Sequence, residues 1–205
     1  YKMVDGEIED FELLHNKKVI LASASPRRKE LFALLGINAY IIPAEIAEPI
    51  NGEEPQVQAM QNALRKAEIV KNKVDKDAVV IAADTLVAID NHILGKPLNQ
   101  KEASRYLRLL SGNTHSVYTG ICIFYNEIAN INYEQTLVHF AELTEVEIKS
   151  YIKTGEPMDK AGAYGIQGYG AQFITAVDGC YFNVMGFPVR KFYEMLNAIL
   201  EKEEK

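Results

Sequence analysis

Two arginines stand where they are least expected in the stretch Ser23-Ala24-Ser25-Pro26-Arg27-Arg28. The apolar run Lys18 to Ala22 before it reads as a strand. Ser25 reads as a helix N-cap, with Pro26 at the first helical position. A helix start presents free N–H groups and partial positive charge, and acidic side chains normally occupy it. Arg27 and Arg28 either reach out into solvent or share a bound anion, for which phosphate is the usual partner. A second signal is Asp84 in Ala82-Ala83-Asp84-Thr85, directly after the apolar run from Ala78. A carboxylate at the carboxyl end of a strand lies where α/β sheets bind ligands. It can hold a divalent cation or accept a proton from an attacking water, or it can simply cap a turn. Lys66, and Lys96 in Leu94-Gly95-Lys96-Pro97, are cations that by themselves read as solvated. Glu45 and Glu48, beside Pro43 and Pro49, read as loop surface unless they face Asp84. The segment from Glu156 to Gly168 belongs to a stretch with glycines at 155, 162, 165, 168 and 170. That many permits close backbone approach to a ligand, and Tyr164, Ile166 and Tyr169 argue for an ordered loop.

The elements that must position these groups alternate between two periodicities. Apolar positions give strands at 18–22, 39–42, 78–83, 86–89, 116–125, 130–140 and 171–177. Helical spacing runs from Pro26 to a stop at Gly36, over 55–70 through Val57, Met60, Leu64 and Ala67, and over 188–200. Asn99 with Glu102, and Thr144 with Glu147, resemble capping boxes that open two more helices. Helices mixed with strands throughout predict an α/β fold: a central mixed, twisted β-sheet flanked by helices. Residues 1–16 carry weak patterning and read as an N-terminal extension, with residues 17–205 as the folded domain.

Composition narrows the function. The chain has 205 residues, 48% hydrophobic and 24% charged, enough apolar material for a sizeable core. A net charge of −6 argues against a nucleic-acid polymer as partner but not against a small anion held by a local cluster of cations. No apolar run is long enough to span a bilayer, and the first residues lack a signal-peptide pattern, so a cytoplasmic protein without membrane association is expected. Cys122 and Cys180 form no CxxC and read as free thiols. His15, His92, His115 and His139 lack zinc-ligand spacing. No GxxxxGK[ST] or GxSxG motif occurs.

Taken in order, the segments Leu21 to Arg28, Ala83 to Val87, Lys96-Pro97, Ser111-Gly112 with His115, Thr119-Gly120, 156–168, and Asn183-Val184 with Gly186 and Pro188 resemble the Maf family of nucleotide pyrophosphatases. The resemblance covers roughly residues 18–200. Phe32, Cys180 and Phe187 depart from it without touching a chemical group. It implies a Maf/ITPase-like fold with two lobes and a cleft between them. It also implies a homodimer, and an enzyme that cleaves a nucleoside triphosphate to the monophosphate and pyrophosphate. Three positions bear on substrate, and Arg27, Thr85 and Gln167 match the branch resembling dTTP/UTP pyrophosphatases. A glutamine amide can pair with uracil or thymine, but also with guanine or cytosine, so Gln167 alone does not select the base.

In the mechanism so implied, Asp84 serves as proton acceptor, as metal ligand, or both. Mg²⁺ or Mn²⁺ is the implied cofactor, with Asp84 and Glu48 as its ligands. Lys66 and Lys96 act on the triphosphate, and Ser23, Arg27, Arg28, Thr85 and Gln167 bind substrate. Two other readings stand beside this one: a broader house-cleaning pyrophosphatase for non-standard triphosphates, and a non-catalytic nucleotide-responsive regulator of division.

Overall fold

A computed structural model describes residues 12–44, 46, 50–90 and 92–201. The strands are β1 (Val19–Leu21), β2 (Ala39–Ile41), β3 (Val79–Ile89), β4 (His92–Leu94), β5 (Thr114–Tyr125), β6 (Ile128–Phe140) and β7 (Ile174–Asp178). They form one mixed sheet in the order β2-β1-β3-β5-β6-β7, with β4 paired to β3 outside this path. β1 is parallel to β2 and β3, and the remaining pairs are antiparallel. The helices are α1 (Pro26–Leu34), α2 (Pro55–Lys71), α3 (Gln100–Leu110), α4 (Glu145–Lys153), α5 (Tyr181–Met185) and α6 (Val189–Leu200). This is an α/β fold, a mixed sheet with helices packed on it.

The register of β3 sets the plan of the site. One edge of β3 pairs with β5 from Val80 to Ala88. Its other edge pairs with β1 over Val79 to Ile81 and with β4 over Val87 to Ile89. Residues 82–86 therefore have a neighbouring strand on one side only. The sequence pattern predicts two strands broken at Asp84-Thr85. Instead β3 is continuous, because Asp84 pairs with Gly120 and Thr85 with Thr119 across the sheet. Asp84 thus lies in mid-strand, not at a strand end, though beyond the point where β1 stops.

Because strand side chains alternate, β3 feeds different cores on its two faces. Val80 and Ala82 pack with Ala63, Ala67 and Val70 of α2. Ile81 and Ala83 pack with Leu31 and Phe32 of α1 and Phe192 and Leu196 of α6. Further along, Val87 and Ile89 join a separate core with Ala103 and Leu107 of α3 and Ile148 and Tyr151 of α4. Leu14 is buried in the α1–α6 core, so packing of the domain begins inside the segment that reads as an extension. The α1 helix turns Leu31 and Phe32 into the core, with Leu35 packed against it, and leaves Leu34 exposed.

Both helix starts with capping-box spacing are capped. Thr144 and Glu147 make the full reciprocal pair. Asn99 accepts from the Glu102 N–H, but the Glu102 carboxylate accepts from the N–H of Leu98 instead. The end of the glycine-bearing stretch forms 3₁₀ turns up to Phe173, which shortens the expected strand to Ile174–Asp178.

Candidate active site

A cleft of about 410 Å³ opens where β3 lacks a neighbour. One wall is the β1–α1 connection from Ala22 to Arg28, and the other holds Lys96 and the stretch from Asp159 to Ala161. Lys66, Asp84 and Thr85 reach it from α2 and β3. The volume suits a small organic ligand. Among the described residues its lining carries five cations, Arg27, Arg28, Lys66, Lys96 and Lys160, against two carboxylates, Asp84 and Asp159. In a chain of net charge −6, this is a local positive field.

Asp84 is 3% exposed and held at both oxygens. Lys66 Nζ donates to Oδ1 at 2.6 Å, and Asn62 Nδ2 donates to Oδ2 at 2.8 Å. Lys66 and Asn62 lie one turn apart on α2, so both project from the same face. The helix can lie close enough because residue 120 is glycine: a Cβ there would fall 2.4 Å from the Ala59 carbonyl. A buried ion pair contributes little to stability once desolvation is counted. Its position at the floor of the cleft makes it a candidate for the chemistry of the site.

On the opposite face of β3, Arg28 is buried and its guanidinium is engaged. Nε donates to the Gly186 carbonyl at 2.8 Å, Nη1 to Ser23 Oγ at 3.1 Å, and Nη2 to Thr85 Oγ1 at 3.0 Å. Thr85 Oγ1 also lies 2.9 Å from Thr119 Oγ1, whose hydroxyl donates to the Asn183 carbonyl. Arg28 therefore fastens the β1–α1 connection to β3 and to the end of α5. Thr85 is joined to Arg28, whereas Arg27 faces across the cleft, with Nη1 at 4.0 Å from Asp159 Oδ2.

The far wall is ordered by its own polar groups. The Glu156 carboxylate accepts from Tyr151 Oη and from the N–H groups of Tyr169 and Gly170. Lys160 Nζ donates to the Glu156 carbonyl and to Asp159. Burial alone would raise the Asp159 carboxyl, but Lys160 and then Arg27 outweigh it and hold it below its ordinary value. Gly162 has φ +70° and donates its N–H to the Gly95 carbonyl, which ties this wall to the turn bearing Lys96. His115 Nε2 lies 2.7 Å from Tyr164 Oη and anchors the wall to β5.

The structure brings Ser23, Arg27, Arg28, Lys66, Asp84, Thr85 and Lys96 into one cleft. Gln167 is exposed and stands outside its lining, next to Ile166, which belongs to it. Glu48 and Glu45 lie outside the described residues. Asp159 and Lys160, which from sequence read as either a further pair at the site or a salt bridge, both line the cleft, while sequence reasoning missed Asn62 and Gln58 beneath Asp84. The signal for the two amides was available. They recur four residues apart on a helix whose neighbouring positions are the small residues Ala59, Ala63 and Ala67. Among the described residues no three His, Cys, Asp or Glu side chains converge as an ion site. Within the lining, Asp84 and Asp159 supply carboxylate oxygens, the donor type of Mg²⁺ sites that use one or two carboxylates and substrate phosphates.

A family model described as Maf-like protein matches residues 18–199. The chain belongs to this family. The dTTP/UTP pyrophosphatase of Aquifex aeolicus (strain VF5) is 45% identical over 182 residues, covering 89% of this chain and 95% of that protein. The dTTP/UTP pyrophosphatase of Bacillus cereus (strain ATCC 10987 / NRS 248) is 46% identical over 181 residues, covering 88% and 89%. Among solved structures, the Staphylococcus aureus Ham1 protein aligns with a TM-score of 0.51 at 15% identity, covering 91% of this chain and all of that one. That likeness extends the Maf-like fold to a protein of very different sequence and carries no more than the fold.

Proposed function

We propose that this chain is a nucleoside triphosphate pyrophosphatase that hydrolyses dTTP and UTP to the monophosphate and pyrophosphate. The observation that carries the reading is the surplus of cations around one buried aspartate in an otherwise acidic chain. Membership of the Maf-like family and the dTTP/UTP pyrophosphatases at about 45% identity support the substrate. Arg27 and Lys96 come from opposite walls and grip the triphosphate between them. Lys66 and Lys160 add charge that offsets what develops on the leaving pyrophosphate. Arg28 acts from behind, fixing Ser23 and Thr85 at the wall. Asp84 orients or deprotonates the water for in-line attack at the α-phosphorus. Recognition of the base by Gln167 requires the pyrimidine to extend past Ile166 to the outer edge of the loop.

Asp84, together with Glu48, is the proposed holder of Mg²⁺ or Mn²⁺. Such a cation neutralises phosphate oxygens and lowers the cost of activating water. The same reading has the enzyme acting in the cytoplasm as a homodimer. The two free thiols support a reducing compartment.

The deciding experiment is pyrophosphate release from UTP and dTTP, with and without Mg²⁺ or Mn²⁺, beside modified pyrimidine triphosphates, ITP and 7-methyl-GTP. A folded Asp84→Asn protein is expected to lose on the order of 10²–10³ in rate. Near-normal turnover in that variant would remove Asp84 from the mechanism. Stoichiometric nucleotide binding without turnover in the wild type would replace the enzyme with a regulator. Preference for the non-standard triphosphates would make it a house-cleaning enzyme.

A further inference from the structure

We propose that Asn62 is a positioning residue for Asp84, at the end of a directed chain of amides that starts from the backbone of Asn51. The proposal rests on the reading of Asp84 as a group that acts on the reaction, and it names what aims that group.

Gln58 is fully buried and Asn62 is 1% exposed, on a buried helix face that also carries Ala59, Ala63, Lys66, Ala67 and Val70. Burying an amide is costly unless its donors and acceptor are used. Here they are used in a single direction. The Asn51 N–H donates to Gln58 Oε1 at 2.9 Å, Gln58 Nε2 donates to Asn62 Oδ1 at 3.1 Å, and Asn62 Nδ2 donates to Asp84 Oδ2 at 2.8 Å. Arg65 Nη2 adds a second donor to Asn62 Oδ1. Both ends of the chain forbid the reverse orientation. An ionised carboxylate only accepts and a backbone N–H only donates, so neither amide can flip without losing its bonds.

The arrangement does more than satisfy α2. With Lys66 on Oδ1 and Asn62 on Oδ2, the plane of the carboxylate is fixed by two side chains from one rigid helix. A site built in this way needs its reacting group locked by neighbours that do not themselves react. Asn62 fits that description, because it is absent from the cleft lining and reaches the chemistry only through Asp84. Apolar residues would pack the same helix face without the desolvation that the two amides incur.

The test uses the full chain and steady-state hydrolysis of UTP. Asn62→Leu keeps the shape and removes the donor. It is expected to lower kcat about tenfold or more, the worth of one hydrogen bond to a charged group, with KM unchanged within about twofold. Asn62→Gln keeps a donor and is expected to recover most of the lost kcat. Gln58→Leu, one amide further from Asp84, is expected to lower kcat less. Combined with Asn62→Leu it should add almost nothing, because both belong to one chain.

A role confined to packing would lower the unfolding midpoint and leave kcat alone. Unchanged kcat in folded Asn62→Leu, or a rise in KM alone, overturns the proposal. If Asn62→Leu fails to fold, unchanged kcat in Gln58→Leu does so. Asp84→Asn run alongside separates the two layers: normal turnover there removes the reading of Asp84 itself. Loss of turnover there, with normal kcat in Asn62→Leu, removes only the relay.

Discussion

His115 is 2% exposed and packs edge-on against Phe140 and Tyr164. Burial, with a smaller push from His139, lowers its imidazole to about 4. An unfolded chain takes up this proton below about pH 6.5, whereas the folded protein resists until about 4. The unfolded state therefore binds more protons in that window, and stability present above pH 6.5 is lost as pH falls toward 4. Between pH 7 and pH 5 the loss amounts to about 2 kcal/mol. Urea unfolding of wild type and His115→Phe at both values should show the wild type losing about that much more than the variant. Equal slopes would mean that the ring is hydrated in the native state. At this scale the charged groups were legible in the sequence, because arginines at a helix start and an aspartate after an apolar run break a rule that backbone physics sets. Asn62 and Gln58 were legible only through their neighbours, because an amide inside a helix breaks no such rule and gains meaning only beside Ala59, Ala63 and Ala67, which mark the face as buried.

Gly120 decides how near α2 lies to the sheet. The atoms a methyl group would meet there are backbone atoms of Ala59 and Met60, which no rotamer change can clear. Gly120→Ala should push the helix outward and cost about 1–3 kcal/mol of stability by overpacking. Turnover should fall further than the stability loss explains, because Lys66 and Asn62 ride on the displaced helix. A denaturation curve with steady-state kinetics on the same sample checks both. Full activity with lowered stability would show that the strain is absorbed elsewhere. Helix α2 was readable from its 3.6-residue spacing, and the expected span 55–70 differs from Pro55–Lys71 by one residue. The break expected in β3 was a local reading of two polar residues, which pairing with β5 overrides across nine successive positions. The five-residue α5 is too short for periodicity to register.

In the molecule as a whole, Cys122 lies in the core between α2 and the sheet, and burial pushes its thiol up to about 12. Almost no thiolate exists there at neutral pH, and no reagent reaches it without opening of that core. Iodoacetamide labelling followed by mass spectrometry is expected to modify the half-buried Cys180 first. Cys122 should react only in step with unfolding measured by circular dichroism, and labelling well below the transition would reveal local opening of α2. The overall α/β layout was legible in the alternation of strand and helix patterns. How the elements meet was not, because β4 joins one edge of β3 through a local hairpin but β1 reaches the same edge only by pairing residues far apart in sequence. That edge has a mechanical consequence. With residues 82–86 lacking a rung on one side, the halves of the sheet are braced along β3 and β5 but not across the notch. A polyanion clamped by side chains from both halves would act as a splint over this gap, so that filling the cavity and stiffening the scaffold become a single event.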